Sequence, residues 1–411
     1  MPSKPELKGA LLLTLALLSA AAPFATDLYL PGFPTMMESL GASASTVQLS
    51  LTAFLVGAGV GQAFFGPLSD RIGRRGPLLV GTVLFLLSSI AAALAPTAGW
   101  LIAARAAQGL SGAAGMVIGR TVVSDLSRGA SAASAFSKLM MVVGVAPVLA
   151  PIAGSLLVEP LGWRGLLWVI AGIGGVIALA VIRFVPETHG PQVRAEAGPP
   201  PTLQELKDIL GTRAFLGAAG TYVLTFAALM AYISASPFLY QGLMGLSPVQ
   251  YALAFGLNAL SLMVMGGVTS KLTQRVKPAR LARLGLTLHL LAVSAFVVMA
   301  LADLNPLLFG LPILLAAAAS GMVFGTTTAM ALDAAHKVNG YASAVLGLCQ
   351  FVLAGAVAPL VGLGGEGTAL PLALTMAAAS ALANLAFTRL RKGSKHPRRW
   401  AARLRPASSR S

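Results

Sequence analysis

GPLSDRIGRR, at residues 66–75, returns in altered form as GGVTSKLTQR at residues 266–275, an offset of 200 residues. Two further pairs of segments recur in the same order: GMVIGRT at 115–121 with GMVFGTT at 321–327, and APIAG at 150–154 with APLVG at 358–362. A single match would carry little weight, because small apolar residues are common in membrane helices. Three matches in one order, at nearly one spacing, predict two parallel halves with the same fold.

Composition places both halves in a membrane. Hydrophobic residues make up 56% of the chain and charged residues 10%, against about 25% charged residues in soluble domains. A spanning helix needs about 20 mostly apolar residues, and only helices or closed barrels cross a bilayer. The apolar runs are too long for barrel strands. They predict an all-α protein of two six-helix bundles, with twelve spans at 10–32, 47–67, 77–96, 100–123, 134–157, 164–185, 213–236, 248–269, 281–302, 307–330, 341–362 and 369–388.

The placement of basic residues predicts the orientation, because cytoplasmic loops are enriched in Lys and Arg. One set of loops, with the tail that begins at Arg389, is basic: Arg71, Arg74, Arg75, Arg128, Lys138, Arg194, Lys207, Lys271, Arg275, Lys277, Arg280, Arg283 and Lys337. The opposite loops carry Glu38, Glu159, Asp303 and Glu366, with Arg164 at their edge. We therefore predict a multi-pass membrane protein with both termini in the cytoplasm.

The same charge pattern argues against a cleaved signal peptide at 10–32, since its loss would leave eleven spans and disturb the asymmetry. The run is also longer than a usual signal core. The predicted units are a first bundle at 1–185, a cytoplasmic linker at 186–212, a second bundle at 213–388 and a basic tail at 389–411. The net charge of +16 is mostly a consequence of this topology, reinforced by attraction to anionic lipid headgroups. For the basic tail, a lipid-facing role is favoured over nucleic-acid binding.

Several chemistries are disfavoured by the sequence. Cys349 is the single cysteine, and the four histidines are scattered. The sequence contains no GxxxxGK[ST] stretch, so the chain carries no nucleotide-driven motor of that type. We expect no cofactor, no metal site and no enzymatic activity.

Asp27 and Arg105 are the charged residues that call for a functional explanation. A charge at the centre of a membrane costs roughly 2.5–3.5 kcal/mol on insertion scales. Both residues lie five positions inside the ends of their predicted spans, or about 7–8 Å below the same edge. An Asp27–Arg105 pair would lower the cost of burying both, and a pair broken in one access state would let the acid exchange a proton. The alternative is an ion pair that only fixes helix packing.

These features together resemble the major facilitator superfamily. The loop motif of that family reads approximately GxLaDRxGRR, and Gly66, Leu68, Asp70, Arg71, Gly73, Arg74 and Arg75 match it. The second copy departs from the motif at Ser270. RAAQG, which begins at Arg105, is similar to the family's RxxQG motif. The stretch GVAPVLAPIAG is similar to the motif of the drug-exporting antiporters, with the residues Gly144, Pro147, Pro151 and Gly154.

Two stretches resemble one subfamily in particular. TDLYLPGFP at residues 26–34 is similar to the TDMYLPALP of the bicyclomycin/chloramphenicol-resistance (Bcr/CflA) proteins. GMVIGRTVVSD at 115–125 also resembles that subfamily, although Ser124 stands where an arginine is common. The resemblance implies a drug:proton antiporter of the bacterial inner membrane, with a cytoplasmic latch at residues 66–75 and a bent span 5 at the interface between halves. A turn that only orients the protein and a simple packing kink remain the alternatives.

A substrate cavity is expected near the bilayer midplane, between the halves. Tyr251, Phe255 and Asn258 share one helical face at i, i+4 and i+7. Further candidates for its lining, each of which could equally serve packing, are Tyr29, Arg120, Tyr222, Phe226, Tyr232 and Gln350. Arg120 lies fifteen residues beyond Arg105, about 22 Å along the helix, and could alternatively anchor the helix at the membrane interface. One acid in span 1 favours neutral or zwitterionic cargo over cations.

The sequence thus predicts a monomeric secondary transporter that exports small amphipathic molecules in exchange for protons, by rocking of its two halves. Its expected partners are the substrate, protons and membrane lipid, without nucleic acid. One rival function is a carrier of the same fold for a specific metabolite, such as an amino acid, nucleoside or sugar derivative. A second rival is a receptor or scaffold that transports nothing.

Overall fold

The computed structural model describes residues 9–127, 129–190, 203–335, 339–362 and 367–393. The first half comprises α1 (Gly9–Asp27), α2 (Phe33–Leu40), α3 (Ala44–Ile72), α4 (Arg75–Ala93), α5 (Ala98–Leu126) and α6 (Gly129–Phe184). A short helix, α7 (Leu203–Leu210), precedes the second half. That half comprises α8 (Arg213–Pro237), α9 (Pro248–Leu272), α10 (Pro278–Leu301), α11 (Gly310–Ala334), α12 (Asn339–Val361) and α13 (Leu370–Gly393).

Eleven helical stretches among the described residues are long and apolar enough to span a membrane. One of them, Met141–Phe184, has 44 residues, or about 66 Å of helix, which is enough for two crossings. Predicted spans 5 and 6 therefore lie within one helical run. Gly162, with φ 65° and ψ 177°, interrupts that run, because a residue without Cβ adopts this conformation at low cost. The twelve-span, all-α prediction is confirmed, but the predicted loop at 158–163 is reduced to this break.

The end of the first span differs from the prediction. Regular helix stops at Asp27, not at residue 32, and a 3₁₀ turn at Leu30–Gly32 leads into α2. Pro31 and Pro34 lie in the first turns of these two short elements. Proline fits a first turn but interrupts a continuing helix. Asp27 is consequently the last residue of α1 rather than an interior one.

The other boundaries lie near the predicted ones, with two longer helices. The helix α3 continues to Ile72, so Gly66 and Asp70 belong to its last turns instead of a loop. The helix α13 continues to Gly393, four residues past the predicted start of the tail. Several residues of the orientation argument lie outside the described residues: Arg128, Arg194, Lys337, Glu366, linker residues 191–202 and the tail beyond residue 393.

Apolar side chains cover the outside of the bundle. Leu84, Leu179 and Leu291 are exposed on α4, α6 and α10. In a soluble protein such patches would mark an interaction surface. On spanning helices they are the expected contact with lipid tails.

The two halves meet along α3 with α12 and along α6 with α9. Glycines permit the first of these contacts. A Cβ on Gly355 would lie 2.7 Å from Cγ2 of Val56, and one on Gly59 would lie 3.2 Å from the carbonyl oxygen of Leu348. Small residues let membrane helices approach closely and gain dispersion energy. The glycines thus let side chains and carbonyl groups of the opposite half pack directly against the helix backbone along this seam.

Contacts on one face of the membrane join the halves further. We call the face at which α1 ends the outer face, and the opposite one the inner face. Near the outer face the rings of Phe33 and Phe238 lie 5.8 Å apart, and Nε2 of Gln48 donates to the carbonyl oxygen of Ser234 at 3.2 Å. Phe33 is fully buried. These contacts close the space between the halves on the outer face, which is the face predicted to be periplasmic.

The close approach of α3 and α5 yields a stability test. A Cβ on Gly109 would lie 2.9 Å from Cα of Phe54 and closer still to its carbonyl oxygen. We expect Gly109→Ala to cost about 1–3 kcal/mol through overpacking, and to lower the unfolding temperature of the detergent-solubilised protein by several degrees. Gly99→Ala on the same helix is the matched control, because its Cβ would meet no atom within 4 Å. Equal unfolding temperatures for the two variants would contradict this packing.

Candidate functional site: a cavity between the two halves

A cavity of about 390 Å³ lies between the halves. The first half contributes α1, α3, α5 and α6, and the second half contributes α8, α9, α11 and α12. Its wall is mostly apolar, and its polar side chains come from Ser19, Thr26, Asp27, Arg120, Tyr232, Asn258 and Gln350. Ligand pockets typically combine such an apolar wall with a few placed polar groups. The volume suits a small drug-sized molecule.

Asp27 lies at the outer end of this cavity. Its side chain is 4% exposed, and it lines the wall where α1 terminates. Within the part of the chain that the structure describes, no basic nitrogen lies within 4.0 Å of its carboxyl oxygens. The C-terminal end of a helix carries partial negative charge, so α1 itself does not stabilise a carboxylate there. Asp27 is therefore a buried acid without a counter-ion.

Arg105 lies at the predicted depth but does not pair with Asp27. One terminal nitrogen of its guanidinium donates to the carbonyl oxygen of Ala25 at 2.8 Å, and the other donates to Oε1 of Gln108. The group also lies 4.4 Å from the ring centre of Tyr29 and 4.5 Å from that of Phe54. Fully buried, it is compensated by neutral acceptors and aromatic faces. Nε of Arg105 is buried and has no hydrogen-bond partner, and no ion pair joins Arg105 to Asp27 in the part of the chain that the structure describes.

Gln108, in the RxxQG stretch, links Arg105 to the neighbouring helix α4. It accepts from Arg105 and donates through Nε2 to Oγ of Ser89 at 2.6 Å, so it connects α5 with α4. Arg105 is not part of the cavity wall. Its hydrogen bond to Ala25 attaches the last turn of α1, which ends at Asp27, to α5.

The candidate lining residues fall into two groups: some line the cavity, and the others pack behind its wall. Phe226, Tyr232, Phe255, Asn258, Gln350 and Arg120 line the cavity, whereas Tyr29, Tyr222 and Tyr251 do not. Tyr29 hydrogen-bonds to Ser50 at 3.1 Å, and Tyr251 to Ser236 at 3.1 Å. Tyr222 stacks behind Phe226 with ring centres 6.3 Å apart. These three tyrosines support the wall rather than form it.

Asn258 is part of a buried polar cluster in the second half. Its Nδ2 donates to the hydroxyl oxygens of Tyr232 at 2.8 Å and Tyr240 at 2.9 Å. The sequence analysis missed Tyr240, which lies in a short π-helix that follows α8. It also missed Phe324 and Phe351 in the wall. Phe324 lies in the repeated GMVFGTT segment, but its apolar neighbours gave no sign of a cavity.

The span-5 motif lies at both interfaces of α6. Gly144 and Pro147 line the cavity, and a Cβ on Gly144 would lie 3.4 Å from Sδ of Met263 in the other half. A Cβ on Gly154 would lie 3.0 Å from the carbonyl carbon of Leu28, just after Asp27. Pro151, between them, is buried within the same helix. The motif therefore lets α6 approach both the second half and the end of α1.

The 66–75 motif forms a polar network at the inner face. Arg74, 5% exposed, pairs with Asp70 one turn earlier and, through Nε at 3.3 Å, with Asp125 at the end of α5. It also donates to Oγ of Ser69 at 2.9 Å. Arg71 and Arg75 are exposed. Asp125 lies 51 residues from Arg74, so its part in the network was not predicted.

Glu187, just past the end of α6, completes the network. Its carboxylate accepts from the backbone N–H groups of Arg74 at 2.8 Å and Arg75 at 3.1 Å, at the start of α4. Gly73 has φ 105°, and a Cβ there would lie 2.6 Å from Oε2 of Glu187. Burial alone would raise the pKa of Glu187, but hydrogen bonds from the backbone of Arg74, His189, Arg75 and Thr188 outweigh it and hold the pKa below its usual value.

Comparisons with known proteins agree with this architecture. The profile of the Major Facilitator Superfamily matches residues 15–359. An uncharacterized MFS-type transporter, YdgK of Bacillus subtilis, is 34% identical over 93% of this chain and 96% of its own length. A bicyclomycin resistance protein homolog of Haemophilus influenzae is 28% identical over 92% and 94%. The crystal structure of a bacterial homolog of the human lysosomal transporter Spinster superposes with a TM-score of 0.72 at 16% identity, covering 94% of this chain and 98% of that one.

The Glu187 cap yields a pH-dependent prediction. Because its folded-state pKa is lowered, its stabilisation is complete above the pKa of a free glutamate, about 4.3. It is lost as the pH falls through the lower folded-state value. We expect Glu187→Gln to destabilise the solubilised protein at pH 7 by about 0.5–1 kcal/mol, at the low end for a cap because the side chain is exposed. The deficit should shrink as the pH falls through that lowered folded-state pKa.

Thermal unfolding of the two proteins between pH 7 and pH 3 measures this difference. Glu159→Gln is the matched control, since Glu159 is exposed on α6. A deficit for Glu187→Gln that stays constant down to pH 3 would show that the carboxylate charge is not what stabilises the start of α4.

Proposed function

Because the chain belongs to the Major Facilitator Superfamily, we propose that it exports small amphipathic molecules across the cytoplasmic membrane in exchange for protons. As a member it is a multi-pass membrane transporter, and its relatives support the predicted Bcr/CflA resemblance. The cargo, the proton coupling, the cytoplasmic termini and a monomeric state belong to the proposal. The single observation that carries it is Asp27, a buried acid without a counter-ion in the wall of the central cavity.

The position of Asp27 supports proton exchange. The acid ends α1 beside the contacts that close the outer face, where Nε2 of Gln241 also donates to the carbonyl oxygen of Pro31 at 3.4 Å. When the halves rock, these contacts open and Asp27 becomes accessible from the outer side. In the present arrangement its access is from the cavity. An acid that faces each side in turn can bind a proton on one side and release it on the other.

Arg105 supports this scheme by keeping Asp27 with its own bundle. The hydrogen bond to Ala25 and the ring contacts of the guanidinium lie within the first half. Rocking of the halves leaves them intact. Asp27 therefore moves with the first bundle, while the second bundle moves past it. Arg105 in this proposal orients the acid and does not receive its proton.

The chemistry of the wall supports an amphipathic cargo. Phe226, Phe255, Phe324 and Phe351 present apolar aromatic surface, and Asn258 and Gln350 provide amides. Apolar contact tolerates variation in shape better than a network of directed hydrogen bonds does. The name of the Haemophilus relative, bicyclomycin resistance protein homolog, makes this antibiotic the first cargo to test.

Asp27→Asn tests the coupling. Asparagine keeps the size of the side chain and removes the titratable proton. We expect the variant to lose bicyclomycin transport driven by an imposed pH gradient in proteoliposomes, by at least tenfold, while exchange of labelled for unlabelled bicyclomycin without a gradient persists. The loss follows because a site that cannot release a proton cannot couple its flow to cargo movement.

Asp303→Asn provides the matched control, because Asp303 is an exposed loop residue whose φ of 50° asparagine also adopts. Gradient-driven transport by Asp27→Asn at the rate of this control would remove Asp27 from the coupling role. The panel of test molecules also includes amino acids, nucleosides and sugars. Transport of one of these by the unaltered protein, without transport of any drug, would favour a metabolite carrier.

A further inference from the structure

Arg120 is the second charged residue of the cavity wall, and its place differs from that of Arg105. It lies on α5 one turn after Met116, and both side chains line the cavity. A Cβ on the neighbouring Gly119 would lie 4.0 Å from Oγ of Ser19 on α1. Arg120 is thus level with the Ser19 region, eight residues or about 12 Å along the helix from Asp27. The two charges lie at opposite ends of one cavity.

The guanidinium of Arg120 has no partner of its own. No hydrogen bond or ion pair within the described residues engages it, whereas Arg74 and Arg105 have several each. The side chain is exposed to the cavity. An arginine inside a membrane protein normally pairs with an acid or with backbone carbonyls, because an unpaired charge is costly there. This guanidinium is left available to a guest.

The wall offers no internal anion to fill that role. Asp27 is the acidic residue among the described lining residues. No ion pair joins it to Arg120 among the described residues. The cavity therefore has a positively charged end at Arg120 and a proton-binding end at Asp27, and the two side chains do not neutralise each other.

Aromatic surface from the second half lies across from Arg120. The ring of Tyr222 packs against that of Phe324 at 5.5 Å, and Phe226 packs against Phe351 at 5.7 Å. Phe226, Phe324 and Phe351 line the cavity. A guest held by Arg120 would lay its apolar body on this wall and so contact both halves.

We propose that Arg120 binds an anionic group, such as a carboxylate, of the transported molecule, and that the cavity selects anionic or zwitterionic amphipathic molecules over cations. This inference rests on the proposed export function and adds the charge class of its cargo. Guanidinium suits the task because its planar donors bind a carboxylate in a bidentate manner. A cation entering the cavity meets the same guanidinium and is repelled.

The test uses three fluorescent probes with one aromatic body: dansylglycine, which is anionic, dansylamide, which is neutral, and dansylcadaverine, which is cationic. Dansyl emission increases in apolar surroundings and reports equilibrium binding to the purified protein, without any need for a proton gradient. We expect the unaltered protein to bind dansylglycine more tightly than dansylcadaverine. Arg120→Gln should weaken dansylglycine binding by about 10- to 100-fold and change dansylamide binding by less than about twofold.

Arg120→Lys keeps the charge but not the planar fork, so it should retain an intermediate affinity for dansylglycine. Arg283→Gln is the matched control, because Arg283 lies 5.8 Å from the ring centre of Phe387, outside the cavity wall. It should bind all three probes like the unaltered protein. Retained dansylamide binding by Arg120→Gln shows that the variant is folded.

Three results would overturn the assignment: unchanged dansylglycine affinity in Arg120→Gln, a preference of the unaltered protein for dansylcadaverine, or no binding of any dansyl probe. Proton-driven bicyclomycin transport, measured in parallel, separates this outcome from failure of the proposed function. Transport that persists while the anion preference fails leaves the export function in place. Anion binding without transport of any cargo would instead contradict the export function alone.

Discussion

The burial of Arg105 is the interaction on which the functional region depends. A guanidinium at this depth must find several acceptors, and it finds them on two helices: Gln108 on its own helix and Ala25 on α1. The rings of Tyr29 and Phe54 cover its faces. The hydrogen bond from Arg105 to Ala25 attaches the last turn of α1 to α5. The location of Asp27 in the cavity wall follows from that attachment.

Glycine determines how the bundle is assembled around that centre. Gly109 brings α5 against the backbone of α3, and Gly154 brings α6 against the end of α1. Gly355 and Gly59 bring α3 and α12 together across the halves. Lipid tails are as apolar as leucine side chains, so helix association in a membrane depends on such close packing. Asp27 is therefore held by helices whose mutual distances are short and well defined.

The sequence predicted the fold well because the bilayer simplifies the problem. Long apolar runs read as spanning helices, and the repeat of GPLSDRIGRR as GGVTSKLTQR identified two halves before any contact was known. The boundaries that failed did so at special residues. Pro31 stopped α1 at Asp27, and the predicted loop between spans 5 and 6 is reduced to a break at Gly162.

The site was predicted less completely. The equal depth of Asp27 and Arg105 in the membrane suggested an ion pair between them. The predicted depth agrees with the structure, since Arg105 binds the carbonyl oxygen of Ala25 two residues before Asp27. Depth does not specify which way a side chain points around its helix, or that neutral groups will satisfy a charge. Glu187 was missed for another reason. It lies 113 residues from Arg74, and no local pattern connects the two.

The attachment of Glu187 also bears on how the halves are connected. Glu187 and Thr188 bind the start of α4 and Asp125, so the chain that leaves the first half is fastened to the 66–75 motif before it continues. Fourteen residues then separate Thr188 from Leu203, where α7 begins. Fully extended, they span at most about 50 Å. This tether limits how far α7 can travel from the motif, so a displacement of the second bundle near that limit would pull directly on the cap of α4.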